Sequence, residues 1–360
     1  MASSTSPVGR LPNQDKVLGC LYGQAVGDAL GGRYEFKPAV QVADMIAADV
    51  AQDPKGFLHI LGGGVHKLAP GEVTDDTEMA MALARSILRK GTYDHDDVAL
   101  SYVKWALTEP TTMGATTYHA LLLVDRTFDE LAAAPSPADF VTTKAARQNQ
   151  ESQSNGFLMR ISPLAIAASS WPVETLQESA RRNCRLTNPN QCCSDAAVVY
   201  VTAVQALLND ASPQKAFEKA LGTAETDDVK NLLLTAKSRA VPVNLPNGQE
   251  VPGDRRCMGY YGIALQSAFH ELHKAATAEA TQQSFYSSMK EVVSRGGDVD
   301  TNGCIAGALL GAYYGASGIP EAWRSAVRRA ESKRARVFPD VLLHDIESVA
   351  ERLSTSQPPQ

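Results

Sequence analysis

Glycine recurs at every fourth position in two stretches of this chain: Gly19, Gly23, Gly27 and Gly31, then Gly303, Gly307, Gly311 and Gly315. The residues between them favour helix, and a glycine inside a helix costs about 1 kcal/mol relative to alanine. Four on one face therefore require a compensating contact, most simply close backbone approach between two helices. Membrane helices use a similar spacing. Here Asp28 interrupts the first ladder, and no apolar run is read as reaching the roughly eighteen residues of a span. The spacing predicts that the two ladder helices pack together in the core, bringing Asp28 and Glu35 towards Asp298 and Asp300. The alternative is that each glycine face meets a different neighbour.

The second ladder is preceded by Ser294-Arg295-Gly296-Gly297-Asp298-Val299-Asp300-Thr301. The Gly-Gly turn sets up Asp298, and Thr301 or Asn302 stands where a helix N-cap is expected. Two carboxylates ahead of a helix feel its positive dipole end, yet they repel each other unless a cation lies between them. An oxygen-loving divalent ion such as Mg²⁺ or Mn²⁺ relieves that repulsion. Read alone, the pair fits a solvated turn and cap equally well. A second acidic site favours the cation. Thr74-Asp75-Asp76-Thr77-Glu78 opens a helix over Met79–Arg89 in the style of a capping box. Capping accounts for one acidic residue there, and less well for two adjacent aspartates.

Two look-alikes fail. Asp298-x-Asp300-x-Asn302-Gly303 opens like an EF-hand loop, but its ninth position is Ala306 and its twelfth is Leu309, where a bidentate Glu is needed. The Asp-x-Asp-Thr core is similar to that of haloacid-dehalogenase phosphatases. Their aspartates end a hydrophobic strand, whereas Ser294-Arg295-Gly296-Gly297 precedes these.

Helical patterns recur over Asp94–Glu109, Gly114–Leu123, Phe157–Ala168, Glu174–Arg182, Ser194–Leu208, Pro213–Leu221, Asp227–Ser238, Tyr260–Ala275 and Phe285–Val293. Glu321–Arg334 and His344–Leu353 close the chain, and hardly a convincing strand is present. The fold class is all-α, a single-domain orthogonal helical bundle over residues 15–353. A Ser/Pro/Gly-rich leader (1–14) and a tail (354–360) read as disordered. Ala132–Pro137 reads as a connector, Gln148–Asn155 as a polar loop, and Ala240–Arg256 as an irregular stretch bordering a site. His119 reads as structural, and the basic run Ser325–Val337 as a solvated helix face.

Composition narrows the partners. A net charge of −6 argues against a nonspecific nucleic-acid binder. Six cysteines without paired C-x-x-C spacing make zinc and disulfide frameworks unlikely, and reduced thiols in the cytoplasm are the default. The expectation is a cytoplasmic monomer without membrane contact.

With Gly27-Asp28-Ala29-Leu30-Gly31 and Glu35-Phe36, then Thr74-Asp75-Asp76-Thr77, then Gly297-Asp298-x-Asp300-Thr301 in this order, the chain resembles the ADP-ribosylglycohydrolases. Ser154-Asn155-Gly156-x-x-Met159-Arg160-x-x-Pro163 and Gly259-Tyr260 with Leu265-Gln266-x-Ala268-Phe269 are also similar to segments of that family. The resemblance spans about residues 16–316 and includes the dinitrogenase-reductase-activating branch.

The resemblance implies a binuclear Mg²⁺ (or Mn²⁺) centre held by Thr74, Asp75 and Asp76 from one side and Asp298, Asp300 and Thr301 from the other. It implies hydrolysis at C1″ of ADP-ribose attached to an acceptor, a protein or a small molecule. Asp75 or Asp76 is the implied base, with Asp300 and the gating residue Glu35 completing the catalytic set. Ser154, Asn155 and Gly156 match positions lining the ribose and diphosphate, and Tyr260 or Tyr261 is a stacking candidate for adenine. The Asn-Gly-x-x-Met-Arg segment leans towards the arginine-linked branch. Alternatives are an O-linked or small-molecule ADP-ribosyl substrate, or a noncatalytic ADP-ribose-binding module. One departure stands out: many relatives show Thr-His where this chain has Thr187-Asn188, and Asn lacks a titratable nitrogen.

Overall fold

The computed structural model describes residues 12–123, 125–330 and 338–359. Residues 1–11 of the expected leader and the end of the basic run (331–337) lie outside the described residues. The protein is all-α: 62% of the described residues are helical, in 17 α-helices and short 3₁₀ turns, and the described strands are two-residue pieces.

The two ladders form its axis. The first ladder helix, Gln14–Gly31, runs antiparallel to the second, Val299–Tyr314. A Cβ placed on Gly19, Gly23, Gly27 or Gly31 would lie 2.4, 2.0, 2.0 or 2.3 Å from the carbonyl oxygens of Gly311, Gly307, Gly303 and Val299 respectively. No side chain fits between the backbones, so the period-four glycines are the contact the pattern requires. The helix Gln191–Leu208 lies against this pair, with Tyr200 OH donating to Ile305 O (2.9 Å). Gln24 Nε2 (3.1 Å) and Cys304 Sγ (3.2 Å), one from each ladder helix, donate to Met159 O and tie the pair to the turn that follows Asn155.

Several expectations change. The second ladder helix starts at Val299 with Asp298 at its N-cap position, so Thr301 and Asn302 lie inside the first turn. Helices Ala39–Val50, Phe128–Ala132 and Pro137–Gln148 were not read from the sequence. Pro137, taken as the end of a connector, is the first helical residue, where its missing N–H is harmless. The basic helix stops at Arg329. Ala240–Arg256 contains a small hairpin pairing Val243–Asn244 with Glu250–Val251. Helix Gln191–Leu208, at 18 residues and hydropathy 1.3, is apolar enough to cross a membrane, contrary to the reading of the runs; 89% of it is buried inside the protein. The start of the tail is docked: Trp171 Nε1 donates to Ser356 O (2.8 Å), and Gln357 N to Gly91 O (2.9 Å).

Candidate active site

Where the antiparallel ladder ends, the chain turns from Gly31 through Glu35. Phe36 N donates to Gly297 O (2.8 Å), and Lys37–Pro38 pairs antiparallel with Gly296–Gly297. Gly297 has φ 83°, and a Cβ there would meet Gly253 O at 2.2 Å, so both conformation and space demand glycine. This strap sets Glu35 beside Asp298 and Asp300, and one carboxylate oxygen from each lies within 4.8 Å of the others.

The helix Asp75–Lys90 aims its N-terminus at the same spot. Thr74 occupies the N-cap position, but its side chain makes no cap hydrogen bond. Asp28, from the first ladder helix, takes that role: its carboxylate accepts from Thr74 N (3.0 and 3.1 Å) and Thr77 N (3.1 Å). Thr74 Oγ1 lies 2.9 Å from Asp28 Oδ1 and 2.8 Å from Asp76 Oδ2. Glu78, expected in a capping box, instead accepts from the buried Trp105 Nε1 (2.7 Å). Asp75 N donates to Thr112 Oγ1 (3.0 Å).

Six carboxylates therefore share one corner: Asp28, Glu35, Asp75, Asp76, Asp298 and Asp300. Burial, opposed by hydrogen bonds from Thr77 and Thr74, raises Asp28 to about 6. Burial, then the charges of Asp298 and Asp75, raises Glu35 to about 8. Asp76 and Asp300 are pushed well above the usual range by burial and then by neighbouring carboxylates, and Asp75 is raised by burial. Asp76 Oδ1 and Glu35 Oε2 are buried without a hydrogen-bond partner. His66 Nε2 lies 3.1 Å from Glu35 Oε2, out of hydrogen-bond alignment. Orphaned oxygens on Asp76, in a helix's first turn, and on Glu35, beside Asp298 and Asp300, belong to a set of oxygen donors that fits a hard divalent cation.

All of these carboxylates except Asp28 line a cleft of about 630 Å³. Its opposite wall is Ser154-Asn155-Gly156, held by Asn155 N donating to Gly259 O (2.9 Å). Asn155 Nδ2 donates to Asp298 Oδ2 (2.7 Å) and so links the two walls. The structure thus brings together Glu35, Asp75, Asp76, Asp298, Asp300 and Thr301 with Ser154, Asn155 and Gly156. Thr74 lies just behind, buried. The tyrosines are not in the cleft. Tyr260 borders a neighbouring groove with Ser154, Leu245 and Pro246, while Tyr261 is fully buried against Phe157 and has no face to offer a ligand.

A family model described as ADP-ribosylglycohydrolase matches residues 10–359. This chain belongs to the ADP-ribosylglycohydrolase family. It is 29% identical over 329 residues to the ADP-ribosyl-[dinitrogen reductase] glycohydrolase of Rhodospirillum rubrum, covering 91% of this chain and 96% of that one. It is 26% identical over 350 residues to the ADP-ribosylhydrolase ARH3 of Bos taurus, covering 90% and 91%. A solved structure titled "ADP-ribosylglycohydrolase-related protein complex" matches with TM-score 0.66 and 27% identity, over 96% of this chain and 99% of that one.

The chain is therefore a glycohydrolase enzyme, and the cleft at the ladder's end is where its acidic motifs converge. Sequence reasoning brought Asp28 to this corner but missed its capping contacts with Thr74 and Thr77. An aspartate inside a helix of small residues was the available signal. Thr112, His66 and Arg255, which also line the cleft, carried none.

Proposed function

We propose that this enzyme hydrolyses the C1″ glycosidic bond joining ADP-ribose to an acceptor, with an arginine side chain of a modified protein as the acceptor. The observation that carries the reading is the buried carboxylate corner, with orphaned oxygens on Asp76 and Glu35, at the floor of a cleft walled by Ser154–Gly156. The residues suited to hold two Mg²⁺ (or Mn²⁺) ions are Thr74, Asp75 and Asp76 on one side and Asp298, Asp300 and Thr301 on the other. Such ions, when bound, supply charge neutralisation and a polarised water.

The protein's own residues do the rest. Asp28 fixes the backbone of Thr74 and Thr77, so Asp75 and Asp76 project from a rigid first turn. Asp75 or Asp76 accepts the proton of the attacking water, and Glu35 closes the corner opposite Asp298 and Asp300. Asn155 orients Asp298 while the Ser154–Gly156 wall receives the diphosphate.

The test is release of ADP-ribose from arginine- and serine-modified proteins, with Mg²⁺, with Mn²⁺ and with EDTA. Metal-dependent release, faster from arginine and lost in Asp300→Ala, is the expected result. Faster release from serine would replace the acceptor, making the O-linked reading the correct one. Binding of ADP-ribose without release from any substrate would make the protein a binding module.

A further inference from the structure

Behind the Ser154 wall of the cleft runs a series of hydrogen bonds whose direction is fixed at both ends. Arg160 is fully buried, its Cζ stands 4.6 Å from the ring of Tyr102, and its Nε and Nη1 have no hydrogen-bond partner. Its Nη2 donates to Thr187 Oγ1 (2.8 Å) and Asn183 O (3.2 Å). A guanidinium can only donate, so Thr187 Oγ1 accepts and its own proton goes to Asn188 Oδ1 (2.7 Å).

At the other end a carbonyl settles the matter. Ser154 O can only accept, which requires Asn188 to present Nδ2 there (3.1 Å) and fixes the flip of the amide. The same Nδ2 donates to Ser154 Oγ (3.1 Å). With its lone pairs engaged from behind, the Ser154 hydroxyl keeps its proton for the cleft. Ser152 Oγ, 3.5 Å away, is a second and weaker donor to Ser154 Oγ, and holds a shorter contact with Thr116 Oγ1 (2.7 Å).

We propose that Asn188 is a positioning residue that, with Thr187 and the buried Arg160, forces the Ser154 hydroxyl to act as a fixed donor to an anionic oxygen of the ligand's diphosphate. This rests on the ADP-ribosyl reading of the cleft. Arg160, Thr187 and Asn188 are all 0% exposed. In such a sealed setting a one-way series starting from a cation strengthens each later donor. An asparagine serves because it accepts on one atom and donates on the other, with no titration. The same polarity disfavours a ligand that places a donor against Ser154.

The experiment is isothermal titration of the Mg²⁺-loaded protein with ADP-ribose, alongside steady-state kinetics. Asn188→Asp keeps the shape but places an acceptor against Ser154 O and Oγ; it is expected to weaken binding roughly 10- to 100-fold. Thr187→Val is expected to weaken it about tenfold, while Thr187→Ser, which keeps the hydroxyl, stays within about threefold. KM follows these changes and kcat moves less. In a Ser154→Ala background Thr187→Val adds nothing, since its effect passes through that hydroxyl. Undiminished affinity in Thr187→Val and Asn188→Asp would overturn the proposal, as would a full Thr187→Val effect in the Ser154→Ala background. Should Asn188→Asp fail to fold, the Val and Ser variants of Thr187 decide. A native protein that neither binds nor releases ADP-ribose sinks the functional reading, whereas binding with silent variants sinks only the relay.

Discussion

The two ladder helices meet in opposite ways along their length and at their end. Along the ladder, glycine backbones pass so closely that an added Cβ would fall 2.0 Å from a carbonyl oxygen. At the end, Asp28 and Glu35 face Asp298 and Asp300 across a corner where Glu35 Oε2 is left without a hydrogen bond. The first region is neutral and complete by itself. The second is charged and incomplete, because carboxylates gathered in a buried site favour protonation or a cation. The contrast teaches that stability and function are separated along one helix pair: the ladder holds the geometry that the crowded carboxylates oppose.

Substitution in each region should therefore move stability in opposite directions. The largest effect is expected from Gly23→Val, whose side chain must displace the Gly307 backbone; no soluble folded protein should be recovered. The milder Gly23→Ala should cost more than about 3 kcal/mol in urea unfolding, and a cost under about 1 kcal/mol would refute the backbone-contact account. In the corner, Asp300→Asn should abolish activity, by about a thousandfold or more, while raising the melting temperature of metal-free protein through relief of repulsion. A lower melting temperature in that variant would mean the corner is already satisfied by the protein alone.

Ligand addition sharpens the same contrast. Mg²⁺ at about a hundred times its dissociation constant should stabilise the native protein by about 2.7 kcal/mol, EDTA should reverse it, and Asp300→Asn should respond weakly. Differential scanning calorimetry reads all three. The smallest effect lies outside both regions. Burial, then the charge of Arg182, lowers His95 to about 4 in the folded protein, while the unfolded chain keeps the ordinary imidazole value of 6.5. Protonation thus favours unfolding: the stability from neutral His95 is full above about pH 6.5 and lost as pH falls towards 4. The loss should be about 2 kcal/mol after discounting partial exposure, and His95→Gln should flatten that part of the stability profile.

Much of this was legible in the chain. The fold class followed from helical periodicity, and the pairing of the ladders from glycines that only a backbone contact rewards. The acidic motifs were legible because adjacent aspartates at a helix start make poor sense as caps alone. Other features were hidden. The start of the second ladder helix was placed too late because Gly296 and Gly297, at φ 69° and 83°, turn the chain so sharply that the helix leaves directly from Asp298. Tyr261 looked as available as Tyr260, yet a shift of one residue at a helix start turns one ring into the core and the other towards a groove. The tail looked free because its partner, Trp171, lies 185 positions earlier.

What the sequence by itself determined is the set of local constraints: where helices run, where glycine is compulsory, and which residues bring oxygen ligands. What only the tertiary structure decided is which polar atoms are satisfied. Asp28 capping a helix 46 positions away, Asn155 bonding Asp298 across 143, and Asn188 bonding Ser154 across 34 are all contacts through space. Periodicity reports which face of an element is buried, but a hydrogen bond depends on a few tenths of an ångström between elements, set by the packing of the whole.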